Sequence, residues 1–280
     1  MSAQSPNAAQ IAYWNGPIGK VWAQEQERRD RDHEAVTRAS LQLAAPRQGE
    51  HALDIGCGSG TTTLLLSDAV APGGRALGID ISAPMLEVAR RRARETRSIA
   101  QFVEADASHY AFQPESFDLV FSQSGVMFFA DPVAAFGNIH RAMKPGGRLV
   151  FSCWRQASEH WASIPETAAK PFLPPTPPSD ANAPGRYAFA NPDRVKSVLL
   201  QAGFHAPMLE KFDARVFIGR TPEEAAAWAI DSGPLMRTLA GCDAETRGRV
   251  QGAVTARLAQ ELGPEGIFVK AGAWLVSARP

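Results

Sequence analysis

Leu53-Asp54-Ile55-Gly56-Cys57-Gly58-Ser59-Gly60 decides how this chain is read. A short apolar run at 52–55 has the length and content of a buried strand, and Leu64, Leu65 and Leu66 begin a helical run just after it. Between them stand three glycines at alternate positions. Glycine lacks a side chain, so a strand can turn sharply there and a ligand can approach the backbone. A dinucleotide-binding turn is spelled G-x-G-x-x-G and would need a third glycine at 61. Thr61 stands there, so the pattern is G-x-G-x-G preceded by an acid, Asp54.

Outward from this turn, strands and helices alternate. Further strands are predicted at 75–81, 101–104, 117–122, 149–153, 207–218 and 266–277. Helical faces run through Met85, Leu86, Ala89 and Ala93, through Phe136 and Ile139, and through Val195, Val198, Leu199 and Ala202. Turns fall at Ala71-Pro72-Gly73-Gly74 and Pro145-Gly146-Gly147. Such alternation predicts an α/β fold, a Rossmann-like doubly wound sheet with right-handed crossovers.

Additions flank this core. Residues 1–48 read as an N-terminal helical cap, with Tyr13, Trp14 and Trp22 close to Gly16, Pro17 and Gly19. Within it, 24–34 are all polar or charged and read as a solvated helix surface. Residues 49–156 form the core unit. Residues 157–192 form a Pro-rich lid, with eight prolines between Pro165 and Pro192. Residues 193–280 complete the sheet around a helical insertion at 221–262, which opens at the cap Thr221 with Pro222 and Glu224 behind it. No internal repeat is visible.

Composition narrows the class. The chain has 280 residues, 45% hydrophobic and 21% charged, which suits a globular protein with an ordinary core. Lys+Arg and Asp+Glu are both 29, so the basic excess of a nucleic-acid binder is missing and no nucleic-acid partner is expected. Cys57, Cys153 and Cys242 form no C-x-x-C pair, so neither a metal site nor a disulfide framework is expected. No secretory leader or membrane-spanning run is read, and the expected location is the cytoplasm.

Two acids extend the glycine turn into a site. Asp80 ends the second strand, where a carboxylate accepts both hydroxyls of a ribose. Asp106 follows the third, within reach of an adenine amino group. With these residues the chain resembles the class I S-adenosylmethionine-dependent methyltransferases, in the broad type 11 group that includes the ubiquinone and menaquinone biosynthesis methyltransferases. The resemblance is carried by 53–60, by Gly78-Ile79-Asp80-Ile81-Ser82 with Met85, and by Glu104-Ala105-Asp106-Ala107. It continues through Phe117-Asp118-Leu119-Val120, Gly125-Val126-Met127-Phe128-Phe129 and Met143-Lys144-Pro145-Gly146-Gly147-Arg148-Leu149. These cover about residues 50–155 in order.

The resemblance implies a seven-stranded sheet with its last strand antiparallel, S-adenosyl-L-methionine as cofactor, and methyl transfer to a small-molecule acceptor. It also implies residue roles. Gly56, Cys57, Gly58 and Gly60 form the turn beneath the methionine part, and Asp54 helps hold its amino group. Asp80 takes the ribose, Ile81 and Met85 pack on the adenine, and Asp106 with the Ala107 amide reads the adenine edge. Ser122 to Ser124 line the sulfonium end, and Trp22 caps the site. The Asn/Asp-Pro-Pro-Tyr/Phe run of base and glutamine amino methylation is absent after the fourth strand, where Ser122-Gln123-Ser124-Gly125 stands instead.

Other readings stand beside these. Cys57 suits a small filler better than a nucleophile. His160, between Trp154 and Trp161, is the candidate general base; His33 and His140 read as surface residues. Four arginines within 90–94 read as a solvated face. Phe128, Phe129, Trp154 and Trp161 serve either a core or a substrate box, while Trp161, Phe172, Leu173, Tyr187 and Phe189 suggest a lid selecting a partly apolar acceptor. As whole-protein alternatives, a non-catalytic cofactor-binding protein shares the same motifs. A nicotinamide-dependent oxidoreductase is opposed by Thr61 and by the lack of a Tyr-x-x-x-Lys pair.

Overall fold

A single sheet organises the molecule. In the computed structural model, which describes residues 7–175, 180 and 182–280, its order is β3-β2-β1-β4-β5-β8-β6. The strands are β1 (His51–Ile55), β2 (Arg75–Asp80), β3 (Gln101–Glu104), β4 (Phe117–Gln123), β5 (Met143–Trp154), β6 (His205–Gly219) and β8 (Gly266–Arg279), with the two-residue β7 (Leu262–Gly263) paired to β8. The first five pair in parallel, and β8 runs antiparallel to both β5 and β6. The seven-stranded expectation with an antiparallel last strand is met, with β7 as an extra pairing.

The helices are α1 (Ala8–Asn15), α2 (Pro17–Gln24), α3 (Gln26–Ala44), α4 (Thr61–Val70), α5 (Ala83–Thr96), α6 (Pro132–Ala142), α7 (Ser163–Ala169), α8 (Pro192–Gln201), α9 (Pro222–Asp231), α10 (Met236–Leu239) and α11 (Ala244–Leu258). None among the described residues is long and apolar enough to cross a membrane. Part of the expected Pro-rich lid, 176–179 and 181, lies outside the described residues. The expected turn at 145–147 is a register irregularity inside β5, since Phe117 pairs with Met143 but Leu119 pairs with Arg148.

Strand order reverses between β1 and β4: the chain winds outward from β1 to β3, then returns to β1's other side. Crossovers diverge there and leave a crevice at the carboxyl ends, where open α/β sheets bind ligands. The two loops at that point touch. A Cβ on Gly56 would lie 2.7 Å from the Gly125 Cα, and one on Gly125 would lie 2.6 Å from the Ile55 carbonyl oxygen.

Helix α3 is fastened at both ends. At its carboxyl end, Arg148 donates to the Ala44 and Ala45 carbonyls and makes a two-point pair with Glu50, each contact 2.7 Å. At its amino end, Arg28 donates to the Ile218 carbonyl at 2.7 Å and Arg29 to that of Ser232. The stretch 24–34 is therefore not the solvated surface expected from its polarity. Its charges find partners on β6 and the α9–α10 connection.

The predicted cap at 221 is in place: the Thr221 hydroxyl accepts from the Glu224 amide at 3.2 Å, and the Glu224 carboxylate accepts from the Arg220 amide at 2.9 Å. Thr221→Ala is expected to lower stability by about 1 kcal/mol, as losses of such caps do. A urea unfolding midpoint that did not move would remove the cap from the account.

Candidate active site

A cavity of about 830 Å³ opens along the carboxyl ends of β1 to β5. It lies toward the upper end of the roughly 300–1,000 Å³ typical of small-molecule sites. Its floor is built in strand order: Asp106 follows β3, Asp80 ends β2, Gly56, Cys57 and Gly58 follow β1, Ser124 follows β4 and Trp154 ends β5.

The glycine turn is held by Asp80. Its Oδ2 accepts from the Gly58 amide and its Oδ1 from the Ser82 amide, both at 2.8 Å. A carboxylate has about four lone-pair positions, so each oxygen retains capacity for another donor. Burial pushes the Asp80 carboxyl above its ordinary pKa, against the backbone N–H groups that pull it down. A Cβ on Gly58 would lie 2.6 Å from the Met85 methyl, so the narrow passage between turn and helix α5 depends on glycine.

Asp106 does two things. Its Oδ1 accepts from the Ser108 amide at 2.9 Å and hydroxyl at 2.7 Å, closing the following turn. Its Oδ2 is buried without a hydrogen-bond partner, as is the Ser124 hydroxyl. Such atoms cost about 1–3 kcal/mol when left unpaired, which a bound donor would relieve. Ser124 itself sits at φ +58°, a left-handed conformation. Ile81, Met85, Ala107 and Trp22 also line the cavity.

Three expected site residues are not on its wall. Asp54 is 1% exposed, beneath the turn, where the Thr62 and Thr63 hydroxyls both donate to its Oδ2 at 2.6 Å. Its Oδ1 has no partner, and burial pushes its pKa up to about 7 against those two hydroxyls. Gly60 caps α4 at φ +86°, and a Cβ there would press on Ala89 and Phe102, so its glycine serves helix packing. Ser122 is fully buried; its hydroxyl donates to the Ile55 carbonyl at 2.7 Å and tethers β4 to β1. Motif spacing places all three near the ligand but does not tell which side of the turn each side chain takes.

The roof comes from the N-terminal segment. Asn15 donates to the Ile81 carbonyl at 2.7 Å and accepts from the Ala83 amide at 2.9 Å, while the Ser82 hydroxyl donates to the Trp14 carbonyl at 2.7 Å. These bonds staple α1 to the β2–α5 turn and set Trp14 edge-on to both Trp22 and Phe128. Arg92, from the run expected to be a solvated face, pairs with Asp30 of α3 at 2.9 Å and donates to the Ser59 carbonyl and Thr61 hydroxyl at 2.8 Å. It ties roof to floor.

We term the part of this one cavity beyond the end of β4 the second chamber. Trp154, His160 and Trp161 stand together, with ring centroids 4.6 Å apart between Trp154 and His160. The Ala162 amide donates to His160 Nδ1 at 3.2 Å, so the neutral ring carries its proton on Nε2. Burial, then the charge of Arg186, pushes the His160 pKa down to about 3. That makes it a weak base, contrary to its selection from the sequence. His33, expected at the surface, is in the wall instead. Its Nδ1 bonds the Arg29 carbonyl at 2.8 Å and so carries the proton, leaving Nε2 as an acceptor. Burial lowers its pKa too. Asp32 joins them, its carboxyl pushed up to about 6 by burial and its Oδ2 4.0 Å from the Arg28 Nε.

Some aromatic expectations are corrected here. Phe128, Phe129, Trp154, Trp161 and Tyr187 line the cavity, but Phe189 is 1% exposed and stacks on Phe136 in the core. Phe172 and Leu173 pack against the core rather than the chamber. Cys57 is in the wall, but burial, reinforced by the Asp80 and Asp54 carboxylates, raises its thiol well above the ordinary value. It is no thiolate nucleophile. His140 is packed edge-on to Phe204 rather than free at the surface. No cluster of metal-ligating side chains occurs among the described residues.

The methyltransferase-domain family (Methyltransf_11) matches residues 53–151. Demethylmenaquinone methyltransferase of Thermus thermophilus is 38% identical over 113 residues, 40% of this chain and 51% of that protein. The Staphylococcus aureus protein of the same name is 38% identical over 104 residues, 37% of this chain and 43% of that protein. The chain thus aligns with about half the length of these relatives. Among solved structures, phosphoethanolamine N-methyltransferase 2 of Haemonchus contortus with S-adenosyl-L-methionine superposes with a TM-score of 0.59 at 20% identity, covering 100% of this chain and 61% of that one. The [4+2]-cyclase SpnF superposes with a TM-score of 0.55 at 20% identity, covering 88% of this chain and 80% of that one. These two likenesses concern the fold. Residues 53–151 form a methyltransferase domain of the type 11 group.

Proposed function

We propose that the chain transfers a methyl group from S-adenosyl-L-methionine to a small, partly apolar acceptor. The observation that carries this reading is the row of groups at successive strand ends. The unpartnered Asp106 Oδ2, the open lone pairs of Asp80 and the side-chain-free turn at Gly56 and Gly58 follow one another along the sheet edge. These residues fit the cofactor's parts: Asp106 and the Ala107 amide its adenine amino edge, Asp80 its ribose, and the turn its methionine end. Ile81 and Met85 pack on the adenine, and Trp22 closes the roof. Asp54 lies beneath the turn, and from there its charge would favour the cationic methionine amino group.

Bound there, S-adenosyl-L-methionine supplies a methyl group already activated by a sulfonium. The chain's work is then alignment and exclusion of water, and alignment alone is worth roughly 7–11 kcal/mol in favourable cases. Trp14, Trp22 and Phe128 shed water from one side, and Trp154 and Trp161 orient the acceptor on the other. A proton lost by the acceptor has a taker on the chamber wall in the Asp32 carboxyl, whose pKa burial raises to about 6. The demethylmenaquinone named for the relatives agrees with a flat acceptor having an apolar body, but the family match ends at 151. The walls made by Trp161, Arg186 and Tyr187 therefore belong to this chain's own selectivity.

Calorimetry tests the reading. S-adenosyl-L-methionine is expected to bind with a Kd of about 1–100 μM, and NADH not to bind at all. Binding of NADH alone would make the site a nicotinamide site. Release of S-adenosylhomocysteine on addition of hydroxylated aromatic acceptors tests transfer itself. Trp161→Ala is expected to lower kcat/KM for an accepted substrate about tenfold, the worth of one aromatic contact, with cofactor affinity unchanged. Equal kcat/KM in that variant would take Trp161 out of acceptor selection.

A further inference from the structure

The second chamber carries charges that a purely apolar acceptor would not use. Arg186 is half-buried, with 37% of its side chain accessible, and it lines the cavity. Its Nη1 donates to Glu166 at 3.2 Å, and its guanidinium carbon lies 5.7 Å from the Tyr187 ring centroid. A guanidinium has five N–H donors in a planar fork, more than these neighbours take up. Arg29 reaches the same chamber from α3, its guanidinium carbon 4.5 Å from the Trp22 ring centroid and its Nε without a partner.

Arg29 and Arg186 stand on the same cavity wall as Asp32 and Glu166, and burial raises the pKa of both acids. His160 presents an N–H donor rather than a lone pair, because its Nδ1 is already occupied by the Ala162 amide. Trp154 and Trp161 line the same cavity and supply flat apolar surfaces.

Trp154 lies at some distance from the glycine turn within the same cavity. Trp154 ends β5, two strands from β1 in the sheet order. At about 4.8 Å per strand, it lies roughly 10 Å from the glycine turn.

Resting on the methyltransferase reading, we propose that this chamber binds the carboxylate of an aromatic acid, with Arg186 as the specificity-determining residue and Trp154 and Trp161 against the ring. The acceptor is then an aromatic monocarboxylate. Arginine suits the role because its fork matches the two carboxylate oxygens in a charge-assisted pair, which lysine's point charge does not.

Salicylate and salicylamide form a test pair, alike in shape and different in charge. Each is titrated into the protein loaded with S-adenosylhomocysteine, which fills the cofactor's own carboxylate site first. Salicylate is expected to bind at least about tenfold more tightly. Arg186→Gln should reduce that ratio to within about twofold, and Arg186→Lys should keep an intermediate preference. S-adenosylhomocysteine affinity should stay within about twofold in both variants. The proposal is overturned by equal binding of the two probes to the wild type, or by no salicylate binding at about 10 mM. It is overturned equally if the preference survives in Arg186→Gln, or if that variant loses S-adenosylhomocysteine affinity, which would assign Arg186 to the cofactor. If the wild type fails to bind S-adenosylhomocysteine, the methyltransferase reading falls. The same salicylate titration on the ligand-free protein then still reads the charge preference of Arg186.

Discussion

Asp54→Asn is expected to stabilise the ligand-free protein at pH 8 and to flatten its stability between pH 4 and 7. The carboxyl is 1% exposed, and its pKa rises from 3.8 to about 7 on folding because burial outweighs two hydroxyl donors. The folded state therefore holds the proton more tightly than the unfolded chain. The stability this supplies is fully present below pH 3.8 and is lost as pH rises through about 7. A shift of about three units corresponds to about 4 kcal/mol across that window. Asparagine keeps a carbonyl oxygen for Thr62 and Thr63 and carries no charge, so the variant escapes the penalty at pH 8 and gains nothing below pH 4. Urea midpoints of both proteins from pH 4 to 8 give the difference directly; parallel profiles would exclude Asp54 as the source. The same variant should bind S-adenosyl-L-methionine more weakly, because a buried negative charge beneath the turn favours the cationic amino group. A carboxylate that is costly in the empty protein and useful in the complex is the usual trade between stability and function.

Asp80→Ala is expected to weaken S-adenosyl-L-methionine binding by at least about 100-fold, since hydrogen bonds to a charged group contribute roughly 1.5–3 kcal/mol each and a ribose offers two hydroxyls. A second loss compounds the first. The Gly58 and Ser82 amides each give their hydrogen bond to this carboxylate, so its removal also frees the turn. Asp80→Asn, which keeps one acceptor oxygen, should fall between, at about tenfold. A cofactor Kd in Asp80→Ala within about threefold of the wild type would reject Asp80 as the ribose anchor. The urea midpoint of the same variant, measured alongside, separates loss of binding from loss of fold.

The parallel core was legible because its signals are local. Apolar runs of strand length, glycine turns and the acids at 80 and 106 all act within a few residues of one another. The cap at Thr221 was legible for the same reason, since its partner Glu224 is three residues away. Local pattern could not tell that Asp54 and Ser122 face away from the cavity, because that depends on how two loops meet at Gly56 and Gly125. Nor could it tell that 24–34 is a chamber wall. A charged helix reads as solvated unless its partners are known, and Arg28 finds its acceptor on Ile218, 190 residues away. His160 illustrates the same gap: its aromatic neighbours were visible in sequence, but the burial that makes it a poor base, with the nearby Arg186 charge and the Ala162 amide on Nδ1, was not.

Chain order alone therefore settles the sheet, the glycine turn and the two acids at the strand ends, because period-two burial and turn chemistry are properties of neighbouring residues. The second chamber is different in kind. Its walls come from α3, from the end of β5 and from residues near 160, 186 and 233, brought together by packing. Its charge and proton states arise from desolvation and long-range pairing, which exist only once the chain has folded.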